Sequence, residues 1–426
     1  MTSGALRVAP LAAVPGFFAL KVGSALILLA ASSAWLEVAG FAAFTQLLIL
    51  AALVNLVAVG GAQNGIIRLT AADVGDGGLD RMRGAAFVVW LAIFAVTACL
   101  AILLRERLSV LLVGDEGIAA GAMLVVLLTL AAGPGQIFTS LLTGRGRAAA
   151  SMAAQGAGLL TGMVAALILL HRGESEGAAI AFAAGPLVTM TSAWLMLRAE
   201  RLAAPSFEGL LQSIRALLSY SGATVLIAVF SAATLFALRY VYQEAFGLET
   251  LAQWIAANRI SDTTTQFLGL AILQLFLPRY TQTHDSAQAR RLVLTTWAAG
   301  LAMMGLFLAV FATASEFLVK LFLSADYLPA ISAILLYMVG DMLRVWAAVA
   351  MNVLLARGRP WAFASIEVGT MAMMAALALA LISVGEPLAP MYAYVAAYGL
   401  TALIVSLVFA RSLFATRRAG SAQPVD

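Results

Sequence analysis

The stretch Trp254-Ile255-Ala256-Ala257-Asn258-Arg259-Ile260-Ser261-Asp262 places an arginine and an aspartate inside a run that otherwise reads as a membrane-spanning helix. It continues through Thr263-Thr264-Thr265-Gln266-Phe267-Leu268 into an apolar tail ending at Leu277. A charge at bilayer depth costs from about 2.5 to well over ~10 kcal/mol, so a chain keeps one there where a partner or a water-filled cavity receives it. The stretch therefore predicts a helix lining a polar cavity in a helical bundle, with the rest of the chain building its walls.

Composition agrees with a membrane setting. The 426 residues are 63% hydrophobic and only 11% charged, with a mean hydropathy of +0.98; soluble domains run nearer a quarter charged. A β-barrel would show strands alternating polar and apolar over ~10 residues, whereas these runs are continuously apolar. The expected class is an all-α polytopic membrane protein. The single cysteine, Cys99, lies in an apolar run; it is expected to be a small buried hydrophobe and has no partner for an intramolecular disulfide. His171 and His284 are far apart and are expected in loops, and no metal-ligand spacing occurs. The net charge of +4 fits cytoplasmic loops rather than a nucleic-acid partner. Arg7 and the following apolar run faintly resemble a signal peptide, but the run is too long and holds Lys21, so it is expected to be a retained first span.

About twelve apolar runs have bilayer-spanning length: 13–35, 40–66, 84–104, 118–142, 149–170, 177–198, 213–238, 250–277, 290–314, 328–355, 361–383 and 388–413. The longest polar connection surrounds Pro205 at mid-chain. It suggests two six-helix lobes, residues 1–201 and 213–416, joined by a linker at 202–212 and followed by a tail at 417–426. Most of the 25 basic residues fall in alternate loops, from Arg7 and Arg68 through Arg145, Arg279 and Arg357 to Arg418. Under the positive-inside rule both termini then face the cytoplasm.

Six ionisable residues remain at membrane depth: Lys21, Arg259, Asp262, Asp341, Arg344 and Glu367. Asp341 and Arg344, and Arg259 and Asp262, share a helix face at i, i+3. Acid before base is the better order, so Asp341 is expected to neutralise Arg344. Structural ion pairs would account for some of these residues, and Lys21 and Glu367 lie near enough to span ends to snorkel. Two arginines and a lysine together argue for anion binding, since a guanidinium fork suits phosphate oxygens. Softer signals lie in the first half. Gln46, Asn55 and Gly60-Gly61-Ala62-Gln63-Asn64-Gly65 mark the second run, where the glycines allow a helix break but close packing is the favoured reading. Gly133-Pro134-Gly135-Gln136 predicts a kink, either a hinge or a plain bend, and Gly185-Pro186 a weaker one. Thr263, Thr264, Thr265 and Gln266 either face the cavity or serve their own helix's carbonyls. No Walker motif, metal spacing or catalytic triad occurs, so no cofactor or enzyme is expected. Transport would run on an ion gradient, the membrane potential or the cargo's own gradient.

Several short motifs keep a common order: Ala62-Gln63-Asn64-Gly65-Ile66, Leu142-Thr143-Gly144-Arg145-Gly146-Arg147, Ile260-Ser261-Asp262 with Gln266-Phe267 and Leu277-Pro278, Val339-Gly340-Asp341-Met342-Leu343-Arg344-Val345, Ala356-Arg357-Gly358 and Ile366-Glu367-Val368. In these the chain resembles the Wzx-type polysaccharide flippases of the multidrug/oligosaccharidyl-lipid/polysaccharide exporter superfamily, above all those flipping O-antigen units or lipid III of enterobacterial common antigen. The resemblance implies twelve helices in a two-lobed V around a central cavity in the bacterial inner membrane. It implies a cargo of undecaprenyl-diphosphate-linked oligosaccharide, with a polysaccharide polymerase and a chain-length regulator as potential partners. Lys21 and Asp262 match polar positions of the family, and Asp341 with Arg344 an acid–base pair. Arg259 departs from the small polar residue expected there. Lys21, Arg259, Arg344, Gln63 and Asn64 are the expected cargo-binding residues. Asp262, Asp341 and Glu367 are expected to couple an ion or complete pairs, and Pro134 and Gly135 to form a hinge.

Three rivals differ in where polarity should fall. A drug or cation antiporter of the same superfamily predicts acids dominating the first half, where only Lys21 is embedded. A lipid II flippase predicts more cations in the first helices and extra C-terminal spans. A glycosyl transferase or ligase on the same carrier predicts long polar external loops, and the loops here are short.

Overall fold

The computed structural model describes residues 9–59, 61–72, 78–103, 106, 119–198, 209–283, 285–322 and 325–419. The apolar runs are helices, and the described residues contain no strand, as a lipid-exposed backbone requires when each segment must satisfy its own polar groups. Among the described residues nine helices are long and apolar enough to cross a membrane, and Ala19–Ser32 and Ala43–Ala52 are shorter apolar helical stretches. Where their residues are described, the expected spans fall on helices, with breaks inside 40–66 and 118–142. The chain divides into two compact units, Met1–Gly222 and Ala223–Asp426. Most of the expected linker, 202–208, lies outside the described residues, as do Gly60 and His284.

The first unit holds α1 (Ala9–Trp35), α2 (Val38–Val57), α3 (Gln63–Ala72), α4 (Gly78–Leu103), α5 (Ala119–Ala131), α6 (Gly133–Gly144), α7 (Ala148–His171) and α8 (Ser175–Arg198). It ends within α9 (210–246). The expected span 40–66 is broken: helix gives way to a turn at Ala58, and Gly61 takes φ 69°, a region open to glycine at little cost, while Gly65 follows the packing reading, since a Cβ there would lie 3.0 Å from Tyr220 Cβ. Gly185-Pro186 does not break α8, which runs through it. There the glycines serve contact: a Cβ on Gly158 would lie 2.7 Å from the Gly185 carbonyl, and one on Gly185 would lie 2.6 Å from that of Gly158. Gly158 and Gly162, four apart on α7, bring the α8 backbone close in the small-xxx-small manner. Apolar cores fill the remainder, one around Phe44, Leu47, Val125, Leu130 and Leu170, another around Ile66, Ala85, Ile137, Leu141 and Leu217.

Two smaller expectations are corrected. Cys99 is exposed, on an outer face of α4 that also carries exposed Val96, Leu100 and Leu103; an apolar run facing lipid does not imply burial in protein. His171 is the last residue of α7, not a loop residue, and meets Trp35 edge-on at 5.2 Å.

The second unit continues from α9 into α10 (248–271) through Gly247, at φ 83° and ψ 172°, a conformation that is essentially glycine's alone. A π turn, Ile272–Phe276, follows, then α11 (Leu277–Gln282). The wide turn sits just before Pro278, which has no N–H for the carbonyl four residues back. α12 (Ser286–Phe322) bends at Ala314. A 3-10 segment, Ala325–Ala330, leads into α13 (Ile331–Ala356), α14 (Pro360–Ser383) and α15 (Ala389–Ala419). Its core centres on Leu238, Tyr242, Trp254, Ile334, Tyr337, Ala378, Tyr394 and Tyr398.

Candidate functional site

Asp341 sits mid-way along α13 and is 0% exposed. A carboxylate taken from water needs its oxygens filled by donors. Here Oδ1 accepts from Ser261 Oγ at 2.9 Å and from the Tyr394 hydroxyl at 2.7 Å. Thr264 Oγ1 lies 3.4 Å from Oδ2 but only 2.8 Å from the Ser261 carbonyl, so its one proton is drawn mainly to its own helix. Thr265 also serves local carbonyls, of Ser261 and Asp262. The carbonyl-serving reading holds for these two threonines, and Thr264 faces Asp341 as well; the Thr263 and Gln266 side chains lie outside the described residues.

Tyr394 can reach Asp341 because the preceding residue is glycine. A Cβ on Gly340 would collide with the Tyr394 ring. The sequence Gly340-Asp341 thus does two things: it opens a flat place on α13 for an α15 tyrosine, and it sets the acceptor beside it.

Arg344 lies one turn further along α13. The direct ion pair expected with Asp341 does not form within 4.0 Å among the described residues. Tyr394 stands between the two. Its hydroxyl gives its proton to Asp341 and accepts from Arg344 Nη1 at 3.4 Å. The guanidinium carbon lies 5.4 Å from the centre of the Tyr398 ring, a cation–π separation. Tyr394 and Tyr398, four apart on α15, are edge-on at 4.8 Å.

Other charges gather around this centre. Glu367 on α14 and Asp262 on α10, both half-buried, are within electrostatic reach of Arg344. Asp262 also feels Arg259 and Arg239. Arg259 is exposed, and Arg239 Nη2 donates to the buried Asn258 Oδ1 at 3.3 Å. Behind them, Trp254 Nε1 donates to the Tyr337 hydroxyl at 2.6 Å, and Tyr337 packs edge-on against Tyr394 at 5.0 Å. Tyr242 meets Trp254 at 4.9 Å and donates to the Pro387 carbonyl at 2.7 Å. Five predicted residues, Arg259, Asp262, Asp341, Arg344 and Glu367, therefore belong to one charged cluster in the second unit. Sequence reasoning missed Tyr394, Tyr398, Tyr337 and Trp254. The available signals were the glycine before Asp341 and the i, i+4 tyrosines of α15.

Lys21, Gln63, Asn64, Pro134 and Gly135 belong to the first unit. Lys21 is exposed on α1, and Asn64 is half-buried in the first turn of α3. Gln63 Nε2 donates to Gln136 Oε1, and Gln136 Nε2 donates to the Asn55 side chain at 2.6 Å and to its carbonyl at 2.9 Å. These amides tie together the break between α2 and α3 and the break between α5 and α6. The second break follows from Pro134, which cannot donate to the Leu130 carbonyl. Trp90 Nε1 donates to that carbonyl at 2.9 Å instead, and Gly133 leaves the space that the Trp90 ring occupies.

No protein-family model matches the chain, and no curated protein matches it. Solved structures do. The Vibrio cholerae MATE transporter VcmN in its bent form superposes with a TM-score of 0.77 at 17% identity, over 97% of this chain and 99% of that one. An outward-facing multidrug resistance MATE transporter of the MOP superfamily gives 0.74 at 16%, over 98% and 100%. A MOP superfamily transporter from Pyrococcus furiosus gives 0.74 at 16%, over 98% and 99%. The chain has the all-helical, polytopic membrane fold of the MATE and MOP transporters.

Proposed function

We propose that the chain is a membrane transporter, not an enzyme, and that it flips an undecaprenyl-diphosphate-linked oligosaccharide of the O-antigen or lipid III type from the cytoplasmic to the periplasmic leaflet of the bacterial inner membrane, with both termini cytoplasmic. The observation that carries this reading is the mixed cluster of the second unit. Its guanidinium, Arg344, is held by tyrosines rather than by a direct carboxylate contact. Among the described residues one hydrogen bond, to Tyr394, is drawn from its five donors, and in this reading the others serve an incoming anion. An acid-dominated site would suit a cationic drug better. For the Pyrococcus furiosus transporter of similar fold, reverse polarity of the binding pocket is described as suggesting a different function, which supports reading pocket charge as a guide to cargo here.

In this reading Arg259 and Arg344 of the second unit offset the cost of drying the diphosphate, and Lys21, Gln63 and Asn64 are the cargo-binding groups of the first unit. Asp262, Asp341 and Glu367 couple a proton or sodium ion, and Pro134-Gly135 serves as the hinge. Unequal affinity of the inward-open and outward-open states for cargo shifts the population between them. The test is glycan display in cells carrying Lys21→Ala, Arg259→Ala or Arg344→Ala at matched protein levels. Loss of display, with lipid-linked glycan accumulating on the cytoplasmic leaflet, is expected. Normal display in all three would remove the reading. Accumulated peptidoglycan precursor would indicate a lipid II flippase, and lost drug resistance with intact display an antiporter.

A further inference from the structure

We infer that Tyr394 is a positioning residue: its one hydroxyl proton, committed to Asp341, turns the oxygen's lone pair toward Arg344 and so sets the guanidinium for an anionic headgroup. This deepens the reading above and rests on it.

The argument starts from the hydroxyl's inventory. A tyrosine OH has one proton to give and can accept in return. At 2.7 Å the proton goes to Asp341 Oδ1. Arg344 Nη1, at 3.4 Å, then meets only an acceptor. If Asp341 lost its charge its oxygen would become a weaker acceptor, and the Tyr394 proton, with the lone pair facing Arg344, would be held less firmly. The state of Asp341 is thereby transmitted to Arg344 without the two touching. Tyr398 sets the second constraint with its ring, since the guanidinium lies 5.4 Å from its centre, while the Tyr398 hydroxyl is buried and has no hydrogen-bond partner among the described residues. One tyrosine therefore acts through its oxygen and the other through its face. The groups surrounding the pair are Asp262 and Arg259 from α10, Arg239 from α9, Tyr337 from α13 and Glu367 from α14. Gly340 supports the assignment, because any side chain there would displace the Tyr394 ring from the carboxylate.

The experiment titrates farnesyl diphosphate against the full-length protein in nanodiscs, with thermal melting as a parallel measurement. Arg344→Ala is expected to weaken binding at least ~tenfold. Tyr394→Phe is expected to weaken it roughly fivefold, and Tyr398→Phe to stay within about twofold because no bond is lost. Ser261→Ala removes the other hydroxyl from the same carboxylate oxygen but does not touch Arg344, so it should weaken binding less than Tyr394→Phe. Tyr394→Phe combined with Asp341→Asn should be no weaker than the worse single variant, since both act on one relay. Arg344→Ala weakening binding while Tyr394→Phe binds like the wild type, or Ser261→Ala matching Tyr394→Phe, or additive double effects, would overturn the inference and leave the proposed function standing. Absence of wild-type binding, or unchanged binding in Arg344→Ala, would overturn both.

Discussion

The two units solve the same problem, polar groups inside an apolar helix bundle, by different means. The first uses absence and neutrality. Glycines at 158, 162 and 185 let backbones touch, and the breaks in its helices are closed by uncharged donors, the Gln63–Gln136–Asn55 amides and the Trp90 indole. The second uses bulk and charge. Its centre is a buried carboxylate and a guanidinium connected through the Tyr394 hydroxyl. A glycine contact fails if anything is added, whereas a hydrogen-bonded charge cluster fails if anything is removed.

That contrast can be broken most sharply at Gly158. Gly158→Leu should cost about 3 kcal/mol or more by forcing α7 from α8, seen as loss of monodisperse protein and a lower melting temperature. Gly369→Ala in the second unit, where a Cβ meets nothing within 4 Å, should leave melting unchanged. Next comes Asp341→Ala. It strands the Ser261 and Tyr394 hydroxyls at a cost of about 2 kcal/mol, and should abolish glycan display where Asp341→Asn leaves the fold intact. Trp90→Phe should cost about 1 kcal/mol for the uncovered Leu130 carbonyl, and Trp254→Phe a similar amount for its bond to Tyr337; thermal melting measures both. The smallest effect belongs to Tyr398→Phe. Removing an unpartnered buried hydroxyl should change stability by less than about 0.5 kcal/mol.

Hydropathy alone was enough to place the long apolar helices, because spanning length is a one-dimensional property of the chain. It also exposed the ionisable residues, since any charge stands out in an apolar run. The kink at Pro134 was legible for the same local reason, a missing N–H. What escaped was everything set by neighbours distant in sequence. The break after Ala58 was one of two readings of the same glycines, and the choice depends on amides from Gln136, more than seventy residues on. The expected contact between Asp341 and Arg344 followed from helix spacing. Spacing carries no information on an α15 tyrosine entering between them. Cys99 shows the limit of composition: an apolar run has a lipid side and a protein side, and both read alike.

That outward cysteine has a practical consequence. With one thiol per chain, set on the rim of α4 and not within a packed core, Cys99→Ala yields a thiol-free background at little cost in folding. A cysteine reintroduced at Lys21 or Arg259, both surface-exposed, then becomes a single addressable site. Its alkylation by a membrane-impermeant maleimide, applied from one side and then the other, would time when each position meets water during a transport cycle.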